Sequence, residues 1–343
     1  MNRGSDHTIT DKFNRPLRDL RISVIDRCNF RCTYCMPAEV FGSDYPFLKK
    51  QELLSFEEIT RVAQSFAKLG VNKIRITGGE PLMRRDLEQL IQNLSCIPGI
   101  KDLAMTTNGS LLSKKAKQLK EAGLKRVTIS LDSLDNEKFG RINGRGVKVD
   151  SVLNGIKAAQ EVGLKVKVNM LVKRGVNEHE IIPMARLFQG TGTVLRFIEY
   201  MDVGNSNGWT FADVISKEDI INRLEEEMRL VPIEPDHYGE VATRYLNKDS
   251  GDEYGFISSI SAPFCSSCTR ARLSADGKIY TCLFAANGTD LHTPIRSGVS
   301  DDELNGIISQ TWGNRTDRYS EERTPEKVAE RNKQKIEMSY IGG

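Results

Sequence analysis

The sequence predicts an α/β protein: a parallel sheet with helical crossovers, followed by a second, smaller module. Three observations carry this. From residue 19, short β-prone runs alternate with helical stretches that end near glycine, and such alternation demands a parallel sheet with right-handed connections. The runs themselves alternate polar and apolar residues. The rhythm changes after residue 202.

In order, the β-runs lie at residues 20–25, 71–77, 101–107, 125–132, 164–172 and 193–201. Ser55 with Glu58 opens the first helix as a capping box, and Gly70 closes it. Further helices span 113–123 and 150–163, and another opens at Asn177 with Glu180. In the second module, Ser216 with Asp219 opens a helix to residue 228, ahead of Pro232 and Pro235. Strands follow near 241–246 and 254–260. Residues 272–273 and 279–284 flank Ala275-Asp276-Gly277 as a hairpin, and helices are expected at 301–312 and 325–338. On composition alone, Ile341-Gly342-Gly343 reads as a mobile tail.

A parallel sheet covered on both faces reads as continuous apolar runs, and a closed barrel fills its interior with branched apolar side chains. These strands differ. Lys73, Arg75 and Thr77 share one face while Ile74 and Ile76 take the other, and Arg126, Thr128, Ser130 and Asp132 oppose Val127, Ile129 and Leu131. The split recurs at Arg21 and Ser23, at Thr106 and Asn108, and at Lys165, Lys167 and Asn169. Such a face either meets bulk water, as in an antiparallel sheet, or lines the concave side of a curled one. The βα repeat favours the second: a cationic cavity that suits a polyanion held by Arg forks and Lys point charges.

At roughly 150 residues per domain, 343 residues make about two domains. With 39% hydrophobic and 28% charged residues, collagen-like and broadly disordered classes are excluded. A net charge of +3 is too small for nucleic-acid binding by bulk charge. No apolar run approaches the roughly 18 residues of a membrane span, and residues 1–20 hold no export signal. The expectation is a cytoplasmic protein with no nucleic-acid or membrane partner.

Seven cysteines, an odd number, argue against a disulfide framework in that compartment. Six form two triads: Cys28, Cys32 and Cys35, then Cys265, Cys268 and Cys282. Cys96 stands apart and is expected to be a small core hydrophobe. The first triad follows the first strand, at the carboxyl end where sites on parallel sheets lie. Three thiolates on one loop can hold three corners of a cubane and leave one iron open, whereas a structural zinc wants a fourth ligand. Tyr34, beside the third cysteine, is placed to shield a cluster or stack on a base. For the second triad, zinc stays an equal reading, because C-x2-C on a hairpin is half a zinc ribbon and His292 is a possible fourth ligand.

The C-x3-C-x2-C loop together with Gly78-Gly79-Glu80-Pro81 after the second strand resembles the radical S-adenosylmethionine superfamily. Arg21, the second triad, Arg270-Ala271-Arg272 and Gly342-Gly343 narrow the resemblance to the family of GTP-cyclising enzymes that begin molybdenum cofactor biosynthesis. It covers nearly the whole chain.

That resemblance implies an incomplete (β/α)6 TIM-type barrel with a smaller α+β C-terminal domain carrying a second iron–sulfur cluster. The division is an N-terminal segment at 1–15, the barrel at 16–235 and the auxiliary-cluster domain at 236–343. Two 4Fe-4S clusters are implied on the two triads, with S-adenosylmethionine held by Tyr34, Gly79, Ser130 and Met201. GTP contacts fall on Arg21, Lys73, Arg75, Thr106, Lys167, Arg196, Arg270 and Arg272, and Gly342 and Gly343 reach the reaction centre as a catalytic tail. The implied reaction takes hydrogen from C3′ of the GTP ribose and joins C3′ to C8 of guanine. Implied partners are a flavodoxin- or ferredoxin-type electron donor and a cyclic pyranopterin monophosphate synthase that receives the product, with the chain a monomer or homodimer. The competing readings are a peptide-maturing enzyme of the same superfamily, which usually carries more C-terminal cysteines, and a zinc-containing nucleic-acid binder.

Overall fold

The computed structural model describes residues 8–331 and 336–343. Six strands stand side by side in chain order, all parallel: β1 (Asp19–Ser23), β2 (Lys73–Thr77), β3 (Asp102–Thr107), β4 (Arg126–Ser130), β5 (Lys165–Val172) and β6 (Val194–Glu199). The helices between them are α1 (Phe56–Lys68), α2 (Leu87–Ser95), α3 (Ala116–Glu121), α4 (Asn136–Asn143), α5 (Val149–Glu161) and α6 (Ile181–Phe188). The expected βα repeat is present.

The rest of the chain supplies α7 (Lys217–Glu225), β7 (Leu230–Ile233), β8 (Thr243–Asn247), β9 (Glu253–Ile257), β10 (Arg270–Leu273), β11 (Lys278–Tyr280) and β12 (Thr289–Asp290). It ends in α8 (His292–Arg296), α9 (Asp301–Gly313), α10 (Pro325–Arg331) and α11 (Met338–Ile341). These strands extend the sheet at both ends. β10 pairs parallel with β1 and β9 parallel with β6, and antiparallel hairpins continue outward to β12 and β7, the two free edges. The barrel is therefore open.

It is also strongly curled. β2 and β6 are four strands apart, about 19 Å in a flat sheet at 4.7–4.9 Å per strand. Yet Arg75 on β2 and Arg196 on β6 share one cavity and repel each other electrostatically. The outward residues Ile22, Ile76, Ile129 and Met170 are buried in the core under the helices. Arg21, Arg75, Thr128, Arg196 and Arg272, on the opposite face, are buried as well. The period-two pattern thus separates two buried faces, one oily and one cationic.

Capping follows the sequence closely. Ser55 and Glu58 exchange side-chain and backbone hydrogen bonds at the start of α1, and Ser216 and Asp219 do the same for α7. Two helices have weaker signals: α2 begins after Asp86 in the left-handed region with no side-chain cap, and α4 is short and contains Gly140. β7 contains Pro232, which the sequence reading takes as a stop. At a sheet edge its missing N–H costs no ladder bond. The helix expected at 325–338 is two pieces, α10 and α11, and its residues 332–335 lie outside the described ones, as do 1–7 of the N-terminal segment. Cys96 is corrected outright: it is exposed, because α2 turns Leu87, Leu90, Ile91 and Leu94 inward and leaves its C-cap outside. Among the described residues no helix is long and apolar enough to cross a membrane.

Candidate active site

The loops at the carboxyl ends of the strands enclose a cavity of about 280 Å³ whose wall includes all six triad cysteines. Arg31 braces the first triad's loop, donating from Nη1 to the Cys28 carbonyl at 2.7 Å and from Nε to the Phe41 carbonyl at 2.7 Å. Burial pushes the Cys28 thiol up to about 11 and Cys35 to about 12, and Cys32 rises through burial and its two neighbouring thiols. Three half-buried thiols that resist ionisation need a positive centre to bind as thiolates. Iron supplies that charge, so the donor set fits a cluster.

The glycine motif closes over this loop. Gly79 donates its N–H to the Ile25 carbonyl at 2.7 Å, and any Cβ there would collide with the Arg27 carbonyl. Glu80 locks the turn by accepting from Leu82 N, Thr107 Oγ1 at 2.7 Å and Asn108 N at 2.8 Å, while burial lifts its carboxyl to about 7. Tyr34 donates its hydroxyl to Asp132 Oδ2 at 2.7 Å. Burial raises Asp132 to about 6. Ser130 and Met201 complete this part of the wall.

The second triad has a different electrostatic character. The β10–β11 hairpin returns Cys282 to the wall that holds Cys265 and Cys268. Burial alone would raise the Cys268 thiol, but the guanidiniums of Arg270 and Arg315 outweigh it and hold the thiol at about 6. Cys282, by contrast, is pushed up to about 12 by burial and then by Asp317. His292 is not in this wall: it sits at the turn of the hairpin, where a Cβ on Gly277 would lie 3.1 Å from its own Cβ. Among the described residues, no group of three or more His, Cys, Asp or Glu is arranged to hold a single metal ion.

Between the triads the wall is basic. Arg21, Arg75, Arg196, Arg270, Arg272 and Thr106 all line it. Nε of Arg21, Arg75 and Arg196, together with Thr106 Oγ1 and Asn169 Oδ1, is buried without a hydrogen-bond partner. Burial lowers Arg75 and Arg272 to about 10, and neighbouring cations add to it. Buried donors without acceptors are costly, and an anionic, oxygen-rich ligand removes that cost. Lys73 and Lys167 fall outside the residues that line the cavity. Lys73 lies 3.5 Å from Asp19, and burial lowers Lys167 to about 8.

The tail is inside. Gly342 is buried and its carbonyl accepts from Arg272 Nη1, while Gly343 lies in the cavity wall. The sequence reading put Asp132 and Asn169 on the polar face without assigning them to the site, and it missed Glu80's bonding role and Arg315. Asp132 and Asn169 share the parity of the polar face, whereas Glu80, three residues past β2 in the glycine motif, has the opposite parity. Arg315 lies in a loop with no local motif.

A curled βα sheet carrying a three-cysteine loop after its first strand and a glycine loop after its second defines the radical SAM class, and the chain belongs to that superfamily. Residues 22–188 match the family model of the Radical SAM superfamily, and residues 193–321 match Molybdenum Cofactor Synthesis C. The fold agrees with Streptococcus suis SuiB bound to S-adenosylmethionine, with a TM-score of 0.60 at 16% identity over 87% of this chain and 69% of that one. Within the superfamily the chain belongs to the GTP 3',8-cyclase family. It is 54% identical to the GTP 3',8-cyclase of Staphylococcus carnosus (strain TM300) and 53% identical to that of Staphylococcus haemolyticus (strain JCSC1435), each over 98% of this chain and 99% of the relative.

Proposed function

We propose that the chain cyclises GTP to (8S)-3',8-cyclo-7,8-dihydroguanosine 5'-triphosphate, the first step of molybdenum cofactor biosynthesis. The observation that carries this is the set of buried arginines with unsatisfied Nε donors, in one cavity with both cysteine triads. Cys28, Cys32 and Cys35 would hold a 4Fe-4S cluster that, with S-adenosylmethionine, would supply the radical chemistry needed at C3' of the ribose.

The chain's own residues bind, orient and exclude. Gly79, Ser130, Tyr34 and Met201 shape the S-adenosylmethionine side. Arg21, Arg75, Arg196 and Arg272 supply forked donors for the triphosphate, and Thr106 offers its free hydroxyl oxygen to the nucleoside. Lys73 and Lys167 add charge behind them. Cys265, Cys268 and Cys282 hold the second 4Fe-4S cluster; the paired guanidiniums on Cys268 favour its thiolate. Gly342 and Gly343 bring backbone rather than side chains to the reaction centre, which leaves room for close approach. Residues 16–235 act as the barrel unit and 236–343 as its auxiliary unit, fed by a flavodoxin- or ferredoxin-type donor and emptied by a cyclic pyranopterin monophosphate synthase.

The test is an anaerobic single turnover with reductant and S-adenosylmethionine. GTP should give 5'-deoxyadenosine in excess over ATP or no nucleotide, with the cyclised product identified by mass. Equal cleavage with every nucleotide, or colourless protein carrying zinc, would refute the reading.

A further inference from the structure

Around the second triad lies a buried ion network, of which Arg315 and Asp317 also border the cavity. Arg315 donates from Nη2 to Cys268 Sγ at 3.1 Å and from Nη1 to the Cys268 carbonyl at 2.8 Å. Its side chain is 2% exposed and stacks over Trp312 at 4.6 Å. Asp11, with a fully buried side chain, lies 3.4 Å from Arg315 and 2.6 Å from Arg15. Arg15 in turn donates to the Cys265 carbonyl at 2.8 Å and to the Asp317 carbonyl at 2.8 Å. Two sequence-distant segments thus meet at the backbone and sulfur of two triad cysteines.

Arg270 also reaches Cys268 Sγ, from Nε at 3.3 Å and Nη2 at 3.1 Å, so one sulfur receives two guanidiniums. They differ in position. Both border the cavity, but Arg270 sits on β10, whereas Arg315 follows α9 and pairs with the buried carboxylate of Asp11 at 3.4 Å. A buried ion network of this size is an expensive way to gain stability alone. Charge-assisted hydrogen bonds to a ligating sulfur, by contrast, set the potential of an iron–sulfur centre, because they stabilise the more negative, reduced state.

We propose that Arg315, held by Asp11 and aligned with Arg15, is a positioning residue that raises the reduction potential of the auxiliary cluster through Cys268. This rests on the reading of the second triad as a 4Fe-4S site. In this role Arg315 acts through Cys268. It makes the auxiliary cluster easier to reduce than three bare thiolates would, without altering the first cluster.

The experiment is an EPR-monitored redox titration of the full holoprotein. The auxiliary signal is identified as the one that persists in a chain carrying C28A, C32A and C35A. R315Q, which keeps the polar shape and loses the charge, should shift that midpoint negative by about a tenfold change in the couple, 59 mV for one electron, with the first cluster's midpoint unchanged. R315K should shift it less. An unchanged auxiliary midpoint in R315Q with iron retained overturns the proposal, and so does loss of the auxiliary iron in both variants, which would make the residue structural only. If the triple-cysteine variant binds zinc or no iron even with Arg315 present, the cluster reading itself has failed, and the proposal falls with it.

Discussion

Arg21 and Arg272 are register partners on the parallel strands β1 and β10, both buried and facing the same cavity. Burial lowers the proton affinity of Arg21, Arg272 and Arg75 lower it further, and Asp19 opposes them. Like charges side by side on a sheet are destabilising. The arrangement makes sense only with an anion present. Ligand at a hundred times its dissociation constant adds about 2.7 kcal/mol to folding stability, so GTP or tripolyphosphate should raise the melting temperature by several degrees. R21Q should melt no lower than the parent without ligand and lose most of the increment with it. A full increment in R21Q, by differential scanning fluorimetry, would remove Arg21 from the anion site.

How much of this was legible beforehand depends on whether the signal was local. The parity of Arg75 against Ile76, or Thr128 against Ile129, is visible in five consecutive residues, because successive side chains on a strand point to opposite faces. The capping boxes at Ser55 and Ser216 are equally local. The addition of β9 and β10 to opposite ends of the barrel was not legible: strand pairing across such separations leaves no mark in either segment. Arg315 reaches Cys268 across 47 residues, and no spacing rule points there. Cys96 was misjudged from residue type, where the face of a helix decided.

Lys167 gives a pH signature. Burial, then repulsion from Arg196 and Arg126, lowers its ammonium to about 8. Between about 8 and the ordinary 10.5 the folded state therefore holds fewer protons than the unfolded one, so ligand-free stability should rise with pH across that window. A bound polyanion favours the charged form, so nucleotide binding near pH 8.5 should take up protons, and affinity should fall as pH rises through 8. Calorimetry in two buffers of different ionisation enthalpy measures the uptake. Undiminished uptake in K167M would exclude Lys167 as its source.

Gly342 has φ +76°, and a Cβ there would collide with Thr77 Cγ2. A non-glycine residue in the left-handed region costs roughly 1–2 kcal/mol before any clash. G342A should therefore lower cyclisation at least tenfold while iron content and S-adenosylmethionine binding hold. Because the obstructing atom is a side-chain methyl, T77S in the same chain should restore part of the loss. Full activity in G342A would show that the tail's backbone conformation is irrelevant to the reaction.

Glu337 holds that tail from the other end. Its carboxylate accepts from Asn205 N at 3.0 Å and Ser206 Oγ at 3.1 Å, in the loop after β6 that also carries Met201. Burial, then the neighbouring Asp276 on the β10–β11 turn, raises the Tyr340 hydroxyl. Hydrogen bonds to a charged group contribute about 1.5–3 kcal/mol each, so E337A should raise the population of the released tail by one or more orders of magnitude. Carboxypeptidase would then trim E337A at least tenfold faster than the parent, and GTP cyclisation should fall while cleavage of S-adenosylmethionine without substrate continues. E337Q, which keeps an acceptor oxygen, should lie between the two. Trimming of E337A at the parental rate would mean that the buried contact between Arg272 and the Gly342 carbonyl holds the tail without help.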